Sequence, residues 1–481
     1  MQKLTPDYRQ NVAFFDEHLR VSENFDIIKK TLMIGKDEIT MYFIDGFVKD
    51  AVMQKLMIYL TSLKGTGEMG AADGKSQYGN ACGASEFIKE HIPYVEADAT
   101  NLVDTMTMMI MSGATLMLGE TFGEYGIIID ARTYPARNTD EPESDRVIRG
   151  ARDGFVETLV FNTALIRRRI RSTQLTMSYM NIGSVSKTDI VVCYMADRAD
   201  EKYVKSLKEK LSSIKTGALT MGHESLAECL IKTRWYNPFP KIRATERPDA
   251  AAAQLEEGSI IILCDNSPEA MILPTSIFDF LQETNDYYFP PLTGTYIRLL
   301  RNVIFLLTLF MMPVWYLLIR NPSFVPGWLS FILPLEPGRL PIIVQILLVE
   351  FMIDGMRMAS MNTPNMLSNS LSVVGGLILG DFAIDIGWLI PEVILYMAFV
   401  TIANFSQASY ELGYAFKFLR IFILVLTAIF NIRGFVIGCI TVVVLMATNK
   451  TVNGKRSYLY PLIPFNGKAL ASLIFRLKKK D

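Results

Sequence analysis

"NVIFLLTLFMMPVWYLLI", residues 302–319, divides the chain. It holds eighteen residues and no charge, about the length needed to cross a bilayer's hydrocarbon core at 1.5 Å per residue. Pro313 is a candidate kink. Arg298 and Arg301, just ahead of the run, favour a cytoplasmic start. Residues 302–449 carry only six of the 48 Lys/Arg and seven of the 49 Asp/Glu. A polar half therefore precedes an apolar half.

Further apolar stretches follow: 338–358 ("GRLPIIVQILLVEFMIDGMRM"), 371–390, 391–405, and 416–447, the last broken by "NIRG" at 431–434. Lys417 and Arg420 lie ahead of the last block, and Lys450, Lys455, Arg456 and Lys478–Lys480 follow it. With both ends inside, the crossings must be even in number, and four or six both fit. Some segments are short or interrupted by Gly and Pro, so re-entrant pieces fit as well.

Four acids in this half stand out as a candidate ion path: Glu350, Asp354, Asp381 and Asp385. Glu350 and Asp354 are four residues apart, Asp354 and Arg357 three, and either pair can meet on a helix. In "GGLILGDFAIDIG", 375–387, helical spacing puts Gly376, Gly380, Ala383 and Gly387 in one stripe suited to close helix packing. Asp381 and Asp385 fall on the opposite side. Facing lipid, each aspartate would cost roughly 2.5–3.5 kcal/mol, so a crossing helix needs a watery path or a cationic partner for them. Alternatively the helix ends near Gly380 and the acids lie in an external loop. For Gln345, Asn404, Gln407 and Glu411, bonding between helices is preferred to a conducting role.

The front half alternates strand and helix patterns. "DEITMYFIDGFVKDAVMQKLMIYL" (37–60) reads as strand, Asp45-Gly46 turn and helix. "GATLMLGETFGEYGIIIDAR" (113–132) reads as two strands about a turn. After an acidic connector, "TDIVVCYM" and "GSIIILCDNSPEAMILP" are strand-like, and "RADEKYVKSLKEKLSSI" and "RPDAAAAQLEEG" helix-like. The fold class is an α/β cytosolic region of two subdomains followed by an α-helical polytopic membrane domain. The expected bounds are 1–145, 146–297, 298–450, and a cytosolic tail at 451–481.

Composition excludes several functions. A net charge of −1 gives no footprint for nucleic acid. Five scattered cysteines lack metal-ligand spacing and read as reduced buried thiols. "GAADGKS" (70–76) resembles a phosphate loop but has Met69 where that motif needs Gly. Three distant histidines form no catalytic set. No enzyme activity, cofactor or metal is expected. The N-terminus lacks the apolar core of a signal peptide. In "RDGFVETLVFNTALIRRRIRSTQ" (152–174), Phe155, Leu159, Ile166 and Ile170 share one helical face. Arg167, Arg168, Arg169 and Arg171 form either a solvated basic end or a contact for anionic lipid or an acidic partner.

"FIDGFVKD", "YPARNTDEPESDRVIRGARDGFVETLVFNTALIRRRI", "ATERPDAAAAQLEEGSIIILCDNSPEAMILP" and "VVGGLILGDFAIDIG…SYELGYAFKFLR" occur in order from about residue 35 to the C-terminus. Together they resemble the A-subunit family of GerA-type spore germination proteins. Ala151, Gln407-Ala408 and Asp381 depart from the family's usual residues and point to a divergent branch, whereas an acid at 385 is family-like. The resemblance implies a non-enzymatic protein of the bacterial spore inner membrane. It would form or gate an oligomeric channel for monovalent cations beside a transporter-like germination subunit. The rival expectation is a non-conducting scaffold that assembles or amplifies germination receptors. A secondary transporter would show inverted hydropathy repeats, and none is convincing here.

Overall fold

A computed structural model describes residues 2–34, 37–63, 82–92, 96–132, 147, 149–231, 235–335, 338–362, 375–376, 380, 382–452 and 457–476. The phosphate-loop-like stretch 70–76, the acidic connector, Asp381 and the lysines at 478–480 lie outside these residues. The chain forms two compact units, 1–232 with 242–274, and 233–241 with 275–481.

Unit one is α/β and built twice on one plan. Its first half runs α1 (Tyr8–His18), β1 (Ile27–Ile34), β2 (Asp37–Ile44), α2 (Asp50–Ser62), α3 (Cys82–His91), β3 (Ala97–Thr100), α4 (Val103–Met111), β4 (Thr115–Gly119) and β5 (Gly126–Ile129). The second half repeats that order. It runs α5 (Leu159–Arg169), β6 (Leu175–Ile182), β7 (Thr188–Met195), α6 (Glu201–Ser212), α7 (His223–Leu230), β8 (Arg243–Thr245), α8 (Pro248–Glu256), β9 (Ile260–Cys264) and β10 (Ala270–Leu273). The sheets match strand for strand, β1-β2-β4-β5-β3 and β6-β7-β9-β10-β8. Each begins with an eight-residue antiparallel hairpin, Ile27 opposite Ile44 in one and Leu175 opposite Met195 in the other. The chain turns into the fourth strand of each half on a left-handed glycine, Gly113 (φ 98°) and Gly258 (φ 88°). A Cβ at Gly258 would stand 2.9 Å from the Arg198 carbonyl oxygen, so both conformation and space call for glycine.

Strand periodicity decides the layers. Tyr42, Ile44, Leu116, Leu118 and Ile128 pack with α1 and α4 through Phe15, Met106 and Ile110. The alternate residues Ile39, Met41, Met117, Ile127 and Ile129 pack with α2 and α3 through Leu56, Leu60 and Phe87. Both faces of the sheet are covered, so its central strands read as continuous apolar runs. In the second half, Val191, Cys193, Ile261 and Leu263 pack with Phe155, Leu159, Ile166 and Ile170, which do share a buried face.

The reading of the cysteines needs one correction. Cys193 and Cys264 are buried but Cys229 is exposed. Burial pushes the Cys193 thiol well above its usual value and Cys264 up to about 12. A native-state alkylation series read by peptide mass should therefore label Cys229 first, with Cys193 and Cys264 reacting only as denaturant unfolds the unit. Labelling of Cys193 as fast as Cys229 without denaturant would contradict this core.

Unit two is helical: α9 (Asn285–Tyr288), α10 (Pro291–Arg320), α11 (Ile342–Asn362), α12 (Pro391–Phe405), α13 (Tyr410–Thr448) and α14 (Gly467–Ile474). α10 and α13 are long and apolar enough to cross a membrane. α13 is broken at Asn431 (φ 52°), inside the "NIRG" stretch, and folds back as a hairpin. A Cβ at Gly438 would lie 3.1–3.3 Å from Ile423 atoms, and Val442 shares a core with Phe416 and Leu419. Contacts give each helix its direction. α10 runs parallel to the first arm of α13: the rings of Phe305 and Phe416 lie 4.1 Å apart, and the Asn321 and Asn431 amides bond reciprocally at 2.7 and 3.0 Å. α11 and α12 start together, where Gln345 Oε1 accepts from Ile390 N at 2.9 Å. They finish together, where Arg357 stacks on Phe405. Gly375 lies against Met356 near the end of α11, and Gly387 O accepts from Arg339 N at 3.2 Å near its start.

Candidate functional site

Unit two holds a cluster of paired charges between its helices. Glu350 and Asp354 stand four residues apart on α11, Lys417 and Arg420 three apart on α13, so each pair occupies one helix face. Glu350 Oε1 accepts from Arg420 Nε at 3.1 Å and also contacts Nη2. Lys417 Nζ lies 3.2 Å from Glu350 Oε2 and also contacts Asp354. Arg420 Nη1 donates to the Thr308 carbonyl of α10 at 2.9 Å. Arg420, Lys417 and Glu350 are 3–6 % exposed, while the Asp354 side chain is 41 % exposed. Two acids of α11 and two bases of α13 thus close on each other, with the Thr308 carbonyl of α10 as a further acceptor. Outward, α10, α11, α12 and α13 present Leu306, Phe351, Leu395, Ile402, Phe422, Ile440 and Val443. An apolar outside around a charged inside reverses the usual soluble pattern.

The 375–387 segment is helical beyond Gly380. Ala383–Asp385 form a helical turn that ends on Gly387 (φ 74°). Gly387 N donates to Ile384 O at 2.8 Å and Trp388 N to Ala383 O at 3.0 Å, the paired bonds of a Schellman cap. Ala383 is buried and Asp385 exposed, on opposite sides of this turn. The Asp385 side chain makes no hydrogen bond or ion pair among the described residues. Gly376 and Gly380 face open space within this chain: among the described residues, no atom comes within 4 Å of where a Cβ would stand. Gly387 serves the cap and approaches Arg339. Gln345 bonds between helices, donating to Leu340 O at 2.8 Å besides holding Ile390.

The basic end of α5 divides. Arg167 does not belong to a lipid- or partner-facing surface, because its side chain is fully buried on Asp26 at 2.9 and 3.0 Å. Arg169 is clamped by Asp153 at 2.5 and 2.7 Å, leaving Arg168 and Arg171 exposed. Sequence spacing also missed a small cluster at His223, whose Nδ1 is 2.5 Å from Ser267 Oγ and whose Nε2 is 2.9 Å from Glu269. Ser267 is 2 % exposed, which leaves its hydroxyl no room for a substrate.

The family model described as Bacillus/Clostridium GerA spore germination protein matches residues 15–481. The chain belongs to the GerA spore germination family. It is 35% identical to stage V sporulation protein AF of Bacillus subtilis (strain 168), over 98% of this chain and 92% of that one. To spore germination protein KA of the same organism it is 25% identical, over 98% and 85%. Among solved structures it is similar to the N-terminal domain of the A subunit of the Bacillus megaterium spore germinant receptor GerK3, at 24% identity and a TM-score of 0.40, covering 57% of this chain and 96% of that one. The charge cluster thus lies in the helical part of a GerA-family chain. Lys417 and Arg420 fall inside "SYELGYAFKFLR", one of the stretches that carry the family resemblance.

Proposed function

We propose that this GerA-family chain acts in spore germination as a membrane-embedded subunit of an oligomeric cation path. Its helical unit would cross the spore inner membrane six times, with the N-terminal unit and the C-terminus cytosolic. The observation that carries the reading is the inversion of unit two: apolar side chains outward, paired charges inward. Such a body is stable with hydrocarbon around it. The six passes would be α10, α11, the apolar sequence 371–390, α12 and the two arms of α13. They return the chain to the end where Arg298 and Arg301 hold Asp286 at 3.1 and 2.8 Å, a cationic start suited to the cytosolic side.

In this reading Asp385 supplies the exposed carboxylate of the path, with Asp381 as its neighbour. Glu350 and Asp354 are its gate, neutralised by Lys417 and Arg420 until those pairs part. Arg168 and Arg171 contact lipid headgroups or another germination membrane protein. Purified chain in liposomes loaded with a monovalent cation tests this. Wild type should pass cations, and Asp385→Asn should lower cation flux and cation-over-anion preference severalfold. Unchanged flux and preference would remove Asp385 from the path. Wild type that conducts under no condition would leave the non-conducting scaffold.

A further inference from the structure

A cavity of about 970 Å³ opens on unit two between α11, the segment at Gly376 and Gly380, α12 and the start of α13. That volume is the size of a small-molecule site. Its wall is apolar, with Ile353, Ile394 and Ile402 among the lining side chains, and the two glycines leave it deep because nothing stands where their methyls would be. Among the described residues, one cation lines it. The Arg357 guanidinium carbon lies 4.6, 5.3 and 5.1 Å from the ring centres of Phe405, Tyr410 and Tyr414. Among the described residues no carboxylate comes within ion-pair distance of Arg357 and no hydrogen bond to its side chain is found. Aromatic faces attract a cation but offer no acceptor for five N–H groups. An apolar cavity ending in an unpaired guanidinium fits an amphiphile with an acyl chain and a phosphate, which accepts two parallel N–H bonds.

We propose that this cavity binds one anionic phospholipid, its acyl chain along the apolar wall and its phosphate on Arg357. The proposal rests on unit two lying in a membrane. Depth supports it: Arg357 lies five residues before the end of α11, about 8 Å along the helix, where headgroups would be. A second copy supplies the counter-charge poorly. Asp385 lies near the opposite end of α11, beside Gly387 and Arg339, so a copy rotated about the membrane normal would keep it at the wrong level. Glu350 and Asp354 are already paired.

Native mass spectrometry of the full chain, delipidated in mild detergent and titrated with phosphatidylglycerol or phosphatidylcholine of equal chain length, tests this. Wild type should retain about one phosphatidylglycerol per protomer in preference to phosphatidylcholine. Arg357→Gln should reduce that preference about tenfold or more, the loss expected when a charge-assisted pair goes. Gly380→Leu and Ile402→Trp, which fill the cavity, should reduce retention of both lipids. An equal preference in wild type and Arg357→Gln would overturn the proposal. So would binding of glycerol phosphate as tight as that of the whole lipid, or a Gly380→Leu variant that changes oligomer size while lipid retention stays intact. Chain that stays in solution without detergent would instead sink the membrane reading itself, a separate outcome of the same preparation.

Discussion

Glu350→Ala should destabilise the helical unit by about 3–5 kcal/mol, the cost of stranding a buried charge by removing its partner. Glu350 is the shared acceptor of Arg420 and Lys417, so its loss hurts more than loss of either base. Without it, Lys417 keeps Asp354, but Arg420 keeps only the Thr308 carbonyl. Its positive charge is then buried at 3 % exposure. Glu350→Gln, which keeps an acceptor but no charge, should fall between. Replacing Glu350 and Arg420 together by leucines should recover much of the loss, since the desolvation of both ions disappears with them. Thermal unfolding of detergent-solubilised chain, arranged as a double-mutant cycle, reads these differences. A Glu350→Ala loss under about 1 kcal/mol would mean that water reaches the cluster and screens it.

Local pattern made much of this architecture legible. The Asp45-Gly46 turn lies between β2 and α2, with Gly46 at φ 80°. "NIRG" marks the break of α13, because a polar Asn in an apolar run is where a hairpin can turn. The β4, β5, β9 and β10 strands show in their apolar runs, whereas β1 and β6, the first strands of the opening hairpins, do not. What stayed hidden depends on pairing over distance. The duplicated plan of unit one lives in the order of its elements, not in residues that align by eye. Gly113 and Gly258 are its clearest shared mark, and each looks like any turn glycine on its own. Within the helical unit, spacing offers Asp354 only Arg357, because the bases that Glu350 and Asp354 do pair with lie 63 or more residues away on another helix. The stripe of small residues in 375–387 was legible as a spacing, yet its members do three different things: Ala383 packs, Gly387 caps and Gly376 and Gly380 border a cavity.

Arg167 is the strongest case of a residue whose type suggests one role and whose place gives another, and its removal should be costly. Its guanidinium makes a two-pronged pair with Asp26 and donates to the Leu175 carbonyl at 3.0 Å. Asp26 opens into β1 and Leu175 begins β6, so this one side chain ties the two halves of unit one together. A backbone bond from Phe25 N to Met177 O at 3.2 Å and a bond from Met177 N to the Asn24 side-chain Oδ1 at 2.7 Å lie beside it. Arg167→Ala leaves the Asp26 carboxylate buried without its counter-ion and should cost about 3–5 kcal/mol. Arg167→Lys should recover little, since one ammonium cannot match a planar fork bonded on three sides. Asp26→Leu combined with Arg167→Met should recover most of the loss, because it strands no ion. Coupling is the readout that separates a tie from a mere core contact. Hydrogen exchange on the full chain should show the amides of β1 and β6 opening together in the wild type and at different denaturant concentrations in Arg167→Ala. If both strands still open together, the halves are held by their apolar contact alone, and Arg167 contributes stability without linking them.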